Sequence, residues 1–187
     1  MAWRCSGKTN AELIANMANN GIFHSQRVAQ HAYAAEHLLP YLKPGANVLD
    51  IGSGSGYLVA VLHHLVDGGK VVGIEHVEEL VDWSISNLKR DGLGDALESG
   101  AIKVIAGDGR KGSPSDGPYD AIHVGAAAPV IPDALVEQLA SPGRMFIPVG
   151  TLMQNILHVD KDSDGKVTQK EIMGVRYVPL TDRDKQM

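Results

Sequence analysis

Apolar residues recur at helical spacing twice before residue 45. Over residues 10–23, Leu13, Ile14, Met17 and Ala18 share one face, and Asn20-Gly21 supplies a stop. Over 25–42, a stripe of Val28, Ala32, Ala35, Leu38, Leu39 and Leu42 predicts one long helix, Ser25 to Leu42, which KPGA then breaks. From there the pattern changes. Short apolar runs at Val48–Ile51, KVVGIE (70–75), AIKVIAGDGR (101–110, closing in a glycine turn), YDAIHVGAAAP (119–129) and GRMFIPVG (143–150) read as buried strands. Between them, 57–66 and 77–90 read as helices, the second with Leu80, Val81, Ser84, Ile85 and Leu88 inward. A third helix, 132–140, opens on Pro132. Strands alternating with helices predict an α/β fold with a doubly wound, mostly parallel sheet. The tail differs: 155–180 holds two strand-like runs around an Asp/Gly turn, an antiparallel hairpin at the sheet edge. One domain is expected over 1–187: helices in 1–44, a nucleotide-binding βαβ core in 45–150, and hairpin and tail in 151–187.

Composition narrows the function. A chain of 187 residues with 44% apolar and 21% charged residues is an ordinary globular protein with enough length for a real core. A net charge of −5 gives no global attraction to nucleic acid or to an anionic membrane. No apolar run approaches the roughly 18 residues of a membrane span. The opening MAWRCSGKTN has no apolar core, so no secretory signal is expected. Cys5 is the single cysteine and cannot form an internal disulfide; a reducing compartment, the cytoplasm, is expected, with Cys5 an inert thiol.

The chemistry is concentrated in VLDIGSGSGY, residues 48–57. A strand ends in an acid, a bare glycine turn follows, and a helix begins, which makes a cradle for a nucleotide. The glycines fall at 52, 54 and 56, and Tyr57 stands where a dinucleotide fingerprint needs its third glycine. Asp50 faces a pyrophosphate badly but suits a cationic ligand such as a sulfonium with an α-amino group. Glu75 ends the next strand, where an acid can accept both ribose hydroxyls. Asp108 follows the third and can meet an adenine amine. Three acids at the carboxyl ends of successive strands, around a nucleoside without phosphate, favour S-adenosylmethionine over NAD. The plainer alternative for Asp50 and Asp108 is helix capping.

Together, MAWR, LDIGSGSGY, GDGRKG, PYDAIHVGAAAP, IMGVRYVPLTD and the closing DKQ resemble the protein-L-isoaspartate O-methyltransferase family over nearly the whole chain. YDAIHVGAAAP and VPLTD are its most specific parts. The resemblance implies a class I, Rossmann-like S-adenosylmethionine-dependent methyltransferase. It implies methyl transfer to the α-carboxylate of L-isoaspartyl residues in damaged peptides and proteins, as a cytoplasmic monomer. By position it implies the methionine part of the cofactor against Gly52, Ser53 and Gly54, the ribose on Glu75, and the adenine beside Asp108 and Gly109. It also sets His31 beside the cofactor, with Thr181 and Gln186 closing over it. One departure concerns catalysis. Just before HAYAAEHLL the family carries a segment resembling ISAPHM, whose serine hydroxyl sits at the methyl-transfer centre. Here RVAQ runs directly into HAYAAEHLL and a few dozen residues are absent, so the catalytic residue is unknown and the alternative is a truncated, weakly active or inactive form that only binds S-adenosylmethionine. A second departure is TLMQ after PVG, where the family usually has a longer glycine-rich loop.

Other features carry weaker expectations. Asp160, Asp162, Asp164, Gly165 and Glu171 fit an EF-hand loop, but their strand-like flanks predict a solvated hairpin without calcium. His63 and His64 are helical neighbours that cannot share a metal from one face, and no metal site is expected. His76 and His123 stand near strand ends as candidate lining residues, with partly buried, hydrogen-bonded histidines as the alternative. Trp3 and Trp83 are expected to pack.

Overall fold

The computed structural model describes residues 25–180. The helix predicted over 10–23, Trp3, Cys5, Thr181 and Gln186 lie outside the described residues. The chain divides into two compact units, one ending at Leu39 and the other starting at Pro40.

In the first unit, helix α1 (Ser25–Leu38) runs unbroken through the Gln30–His31 junction. It stops short of the predicted Leu42. Pro40 brings no N–H and disfavours helical geometry at Leu39, so the chain tightens into a 3₁₀ turn, Leu39–Tyr41. Leu39, expected on the apolar stripe, is exposed.

The second unit is built on one sheet. Its strands are β1 (Asn47–Ile51), β2 (Lys70–Glu75), β3 (Ile102–Ala106), β4 (Tyr119–Val124), β5 (Leu139–Gly150), β6 (Gln154–Lys161) and β7 (Val167–Val175). The spatial order is β3-β2-β1-β4-β5-β6-β7; β1 to β5 pair in parallel, and β6 and β7 add antiparallel. Between the strands lie α2 (Tyr57–Leu65), α3 (Glu78–Arg90), the short α4 (Gly94–Glu98) and α5 (Asp133–Gln138). The α4 turn was not anticipated: GDALE is too short to show a period. Trp83, expected to pack, is half exposed on α3, whereas Val81, Ser84 and Leu88 are buried.

The central strands form where the sequence is apolar on both faces. Val48 to Ile51 and Val71 to Glu75 are buried at every position, as a parallel sheet covered on both sides requires. Leu49, Ile51, Ile74, Ile122 and Leu135 share one core cluster. The chain steps outward from β1 to β3, then returns to β4 on the other side of β1. That reversal leaves a crevice at the carboxyl ends of β1 and β4, the usual ligand site of an open α/β sheet.

The amino ends of the strands are held by charge. Asp116 accepts from Lys70 Nζ and Lys103 Nζ, both at 2.7 Å, and from Ser113 Oγ at 2.6 Å. Its main-chain oxygen accepts from Asn47 Nδ2. One residue thus ties the beginnings of β1, β2 and β3 together. Midway along β5, Arg144 makes a two-pronged pair with Asp160 across β5 and β6 and lies over the Tyr41 ring.

Burial opposes ionisation of Asp116, but the hydrogen bonds from Lys103, Lys70 and Ser113 outweigh it and hold the carboxyl well below the usual carboxylate range. A depressed folded-state value contributes stability that is present above the unfolded value, near ~4, and is lost as pH falls below it. Asp116→Asn is therefore expected to destabilise by roughly 1–3 kcal/mol at pH 7, the partial exposure of both lysines limiting the effect. Urea unfolding at pH 7 and pH 3 checks this. The gap between the two proteins should narrow at pH 3, and an equal gap at both values would refute the ion-pair account.

Candidate functional site

The glycine turn after β1 is tied down over the end of β2. Gly52 N and Ser53 N donate to the Ile74 main-chain oxygen at 2.8 and 3.1 Å. Asn87 on α3 donates to the Ser55 main-chain oxygen. Gly56 leads into α2 with φ 78°, and a Cβ there would press on Ser84 Cβ at 3.2 Å and Leu88 Cγ at 3.3 Å, so both backbone and space demand glycine.

Each predicted acid has a defined environment. Glu75, the last residue of β2, is buried and accepts three main-chain N–H groups. Gly54 N binds Oε2 at 3.1 Å, while His76 N and Val77 N bind Oε1 at 2.9 and 3.2 Å. A carboxylate offers about four lone-pair sites, so acceptor capacity remains. Asp50 lies in β1, in register with Gly73 of β2 and His123 of β4. His123 Nδ1 lies 2.7 Å from Asp50 Oδ1, and both residues are buried. The capping alternative fails for Asp50, because Gly56 occupies the cap of α2 and no side chain caps that helix.

For Asp108 the capping alternative is what the local geometry shows. Its side chain caps the 3₁₀ turn Gly109–Lys111 through Arg110 N at 3.0 Å and pairs with Arg110 Nε and Nη2, each at 2.9 Å. The Arg110 hydrogen bond keeps its carboxyl below the ordinary value despite some burial. Gly109 packs against β1: a Cβ there would drive into the Ile51 Cγ2 methyl. His31 lies on α1, in the unit that ends at Leu39.

The crevice fits an uncharged nucleoside carrying a cationic arm. Two of its buried polar atoms, Asp50 Oδ2 and Ser53 Oγ, have no partner among the described residues. Three acids stand at the carboxyl ends of adjacent strands: Asp50 is the penultimate residue of β1, Glu75 the last of β2, and Asp108 lies two residues past β3. Neither Asp50 nor Glu75 suits a phosphate. Sequence reasoning missed the Arg110 pairing, although an Asp-x-Arg spacing signals it. It also missed the His123–Asp50 pair, for which the only signal is the strand order that makes β1 and β4 neighbours. His123 is thus the buried, hydrogen-bonded histidine of the alternative reading, and its partner is a predicted site residue.

A family profile described as protein-L-isoaspartate(D-aspartate) O-methyltransferase matches residues 25–185. The chain belongs to this family. Protein-L-isoaspartate O-methyltransferase 1 of Arabidopsis thaliana is 49% identical over 158 residues, 84% of this chain and 69% of that protein. The Caenorhabditis elegans protein-L-isoaspartate O-methyltransferase is 40% identical over 222 aligned positions that take in all of this chain and 98% of the worm protein. Those 222 positions against 187 residues leave about 35 at which the worm protein has residues and this chain has none. A crystal structure from Plasmodium falciparum, assigned as a protein-L-isoaspartate O-methyltransferase and bound to S-adenosyl-L-homocysteine, superposes with a TM-score of 0.76 at 25% identity. It covers 94% of this chain and 99% of that one. The architecture is that of class I S-adenosylmethionine-dependent methyltransferases, as predicted.

Burial lowers the pKa of His63 and of His64 on α2, and no group of three His, Cys, Asp or Glu among the described residues could hold a metal ion. The acidic turn joins β6 to β7, so the helix pair of an EF-hand is replaced by strands. Asp162 Oδ1 accepts from Asp164 N and Lys166 N, Asp160 pairs with Arg144, and Glu171 sits in β7 opposite Leu157. Calcium titration is expected to give no binding tighter than the millimolar range. A micromolar constant abolished by Glu171→Gln would contradict that reading.

Proposed function

We propose that this protein transfers a methyl group from S-adenosylmethionine to the α-carboxylate of L-isoaspartyl residues in damaged peptides and proteins. Membership of the family supports the reaction and the substrate. The observation that carries the cofactor is the row of Asp50, Glu75 and Asp108 around the glycine turn, with a buried Asp50 oxygen that lacks a donor among the described residues. In this reading Gly52, Ser53, Gly54 and Asp50 hold the methionine end. Glu75, fixed by three amides, accepts from the ribose, and Asp108 with Gly109 borders the adenine. The family resemblance also assigns His31, Thr181 and Gln186 to cofactor binding.

When bound, S-adenosylmethionine supplies a sulfonium-activated methyl group. The accepting carboxylate has an ordinary pKa near ~4 and is ionised at neutral pH, so the chain need not provide a base. Opposite charges neutralise as the methyl moves, and the protein's task is to align donor and acceptor and to exclude water. A displacement of about 1 Å can cost ~10²-fold in rate.

That requirement makes the Gln30–His31 junction important. The family's serine-bearing cover belongs there by resemblance, and α1 passes straight through it. The shortfall of about 35 positions against the worm protein supports an internal segment being absent. We therefore expect intact cofactor binding and slow methyl transfer, in a cytoplasmic monomer. No helix of the described residues is long and apolar enough to cross a membrane.

Calorimetry should show S-adenosylhomocysteine binding tighter than NAD, and Glu75→Ala should weaken it by roughly 1.5–3 kcal/mol per lost ribose hydrogen bond. NAD binding more tightly would overturn the cofactor assignment. Radiolabelled methyl transfer to an isoaspartyl peptide should be detectable and should rise at least tenfold when the segment preceding HAYAAEHLL is restored from a full-length relative. Transfer equal in both chains would remove any role for that segment, and transfer in neither would refute the reaction.

A further inference from the structure

We infer that His123 is a positioning residue for the amino-acid end of the methyl donor, acting through Asp50. The inference rests on the proposed cofactor site and adds to it a residue from the opposite side of the crevice. His123 is the register partner of Asp50 across β1 and β4. A carboxylate oxygen has no hydrogen to give, so the imidazole Nδ1–H donates across the 2.7 Å gap to Oδ1. The ring is itself held: it stacks on Phe146 of β5 with an interplanar angle of 19° and centroids 6.2 Å apart, and Phe146 packs in turn on His158 of β6.

This arrangement fixes the Asp50 carboxylate. With Oδ1 engaged by His123, rotation of the group would break a hydrogen bond inside the core, where a lost partner is costly. Oδ2 is buried and lacks a donor among the described residues. A buried carboxylate oxygen in that state favours any ligand that brings a donor to it, and an ammonium group, directly or through one water, brings the strongest. The Asp50–His123 pair therefore discriminates among adenosyl ligands by what they carry beyond sulfur. A ligand with an α-amino group satisfies Oδ2, whereas the same nucleoside without it does not.

The test compares S-adenosylhomocysteine with 5′-methylthioadenosine, which shares the nucleoside and lacks the amino-acid arm. Affinities are measured by calorimetry on the full chain. His123→Leu removes the donor, and His123→Gln keeps a polar side chain but moves the donor away from the Nδ1 position. Each should weaken S-adenosylhomocysteine at least tenfold and methylthioadenosine less than threefold. His123→Asn, whose amide nitrogen stands close to the Nδ1 position, should stay within threefold for both ligands. If His123→Leu does not fold, the Asn and Gln pair carries the comparison. Equal losses for the two ligands would reduce His123 to a structural role, and unchanged affinities in the Gln protein would overturn the inference outright. Wild-type protein that binds both ligands equally would overturn it while leaving the adenosyl site standing; wild-type protein that binds neither would overturn the cofactor reading with it.

Discussion

The Glu75 carboxylate organises the site. A charged group drawn out of water at the end of β2 must find donors, and it finds them in the main-chain N–H groups of Gly54, His76 and Val77. One side chain thereby fixes the glycine turn after β1 and the lead-in to α3 together. Gly52 and Ser53 reinforce the link through the Ile74 oxygen. The crevice is thus shaped from below by β2 before any ligand is present, and preorganisation of this kind lowers the ordering cost of binding.

The molecule separates stability from function along the strand direction. At the amino ends, Asp116 gathers Lys70, Lys103 and Asn47. These contacts occupy both oxygens of the Asp116 carboxylate. At the carboxyl ends, Asp50 Oδ2 and Ser53 Oγ are among the buried polar atoms without a partner among the described residues, and these two flank the start of the glycine turn. A buried polar atom of this kind calls for an explanation, and a ligand supplies one here.

Much of this was legible in the sequence. The KVVGIE strand runs Lys70–Glu75 as read, because an unbroken apolar run ending in an acid has few alternatives in an α/β chain. The hairpin over β6 and β7 was also legible, since Asp and Gly mark its turn and β-branched residues flank it. The apolar stripe runs on to Leu42, but the ring constraint of Pro40 ends α1 at Leu38. The Asp50–His123 pair was not legible, because 73 residues separate partners that only the strand order brings together. The engagement of Asp108 by Arg110 is legible in the Asp-x-Arg spacing, and that local hydrogen bond competes with the role in ligand binding read from position alone.

Family membership and sheet architecture set what the core is built to hold, and the junction at Gln30–His31 sets how well the held ligand can be used. The first is the central claim, and it is open to direct observation at residue level. A ¹⁵N-resolved NMR titration of the full chain with S-adenosylhomocysteine should shift the amides of Gly52, Ser53, Gly54, His76, Val77 and Gly109 most, tracing the carboxyl ends of β1, β2 and β3. Shifts confined to β6 and β7, or no saturable shift at all, would contradict it.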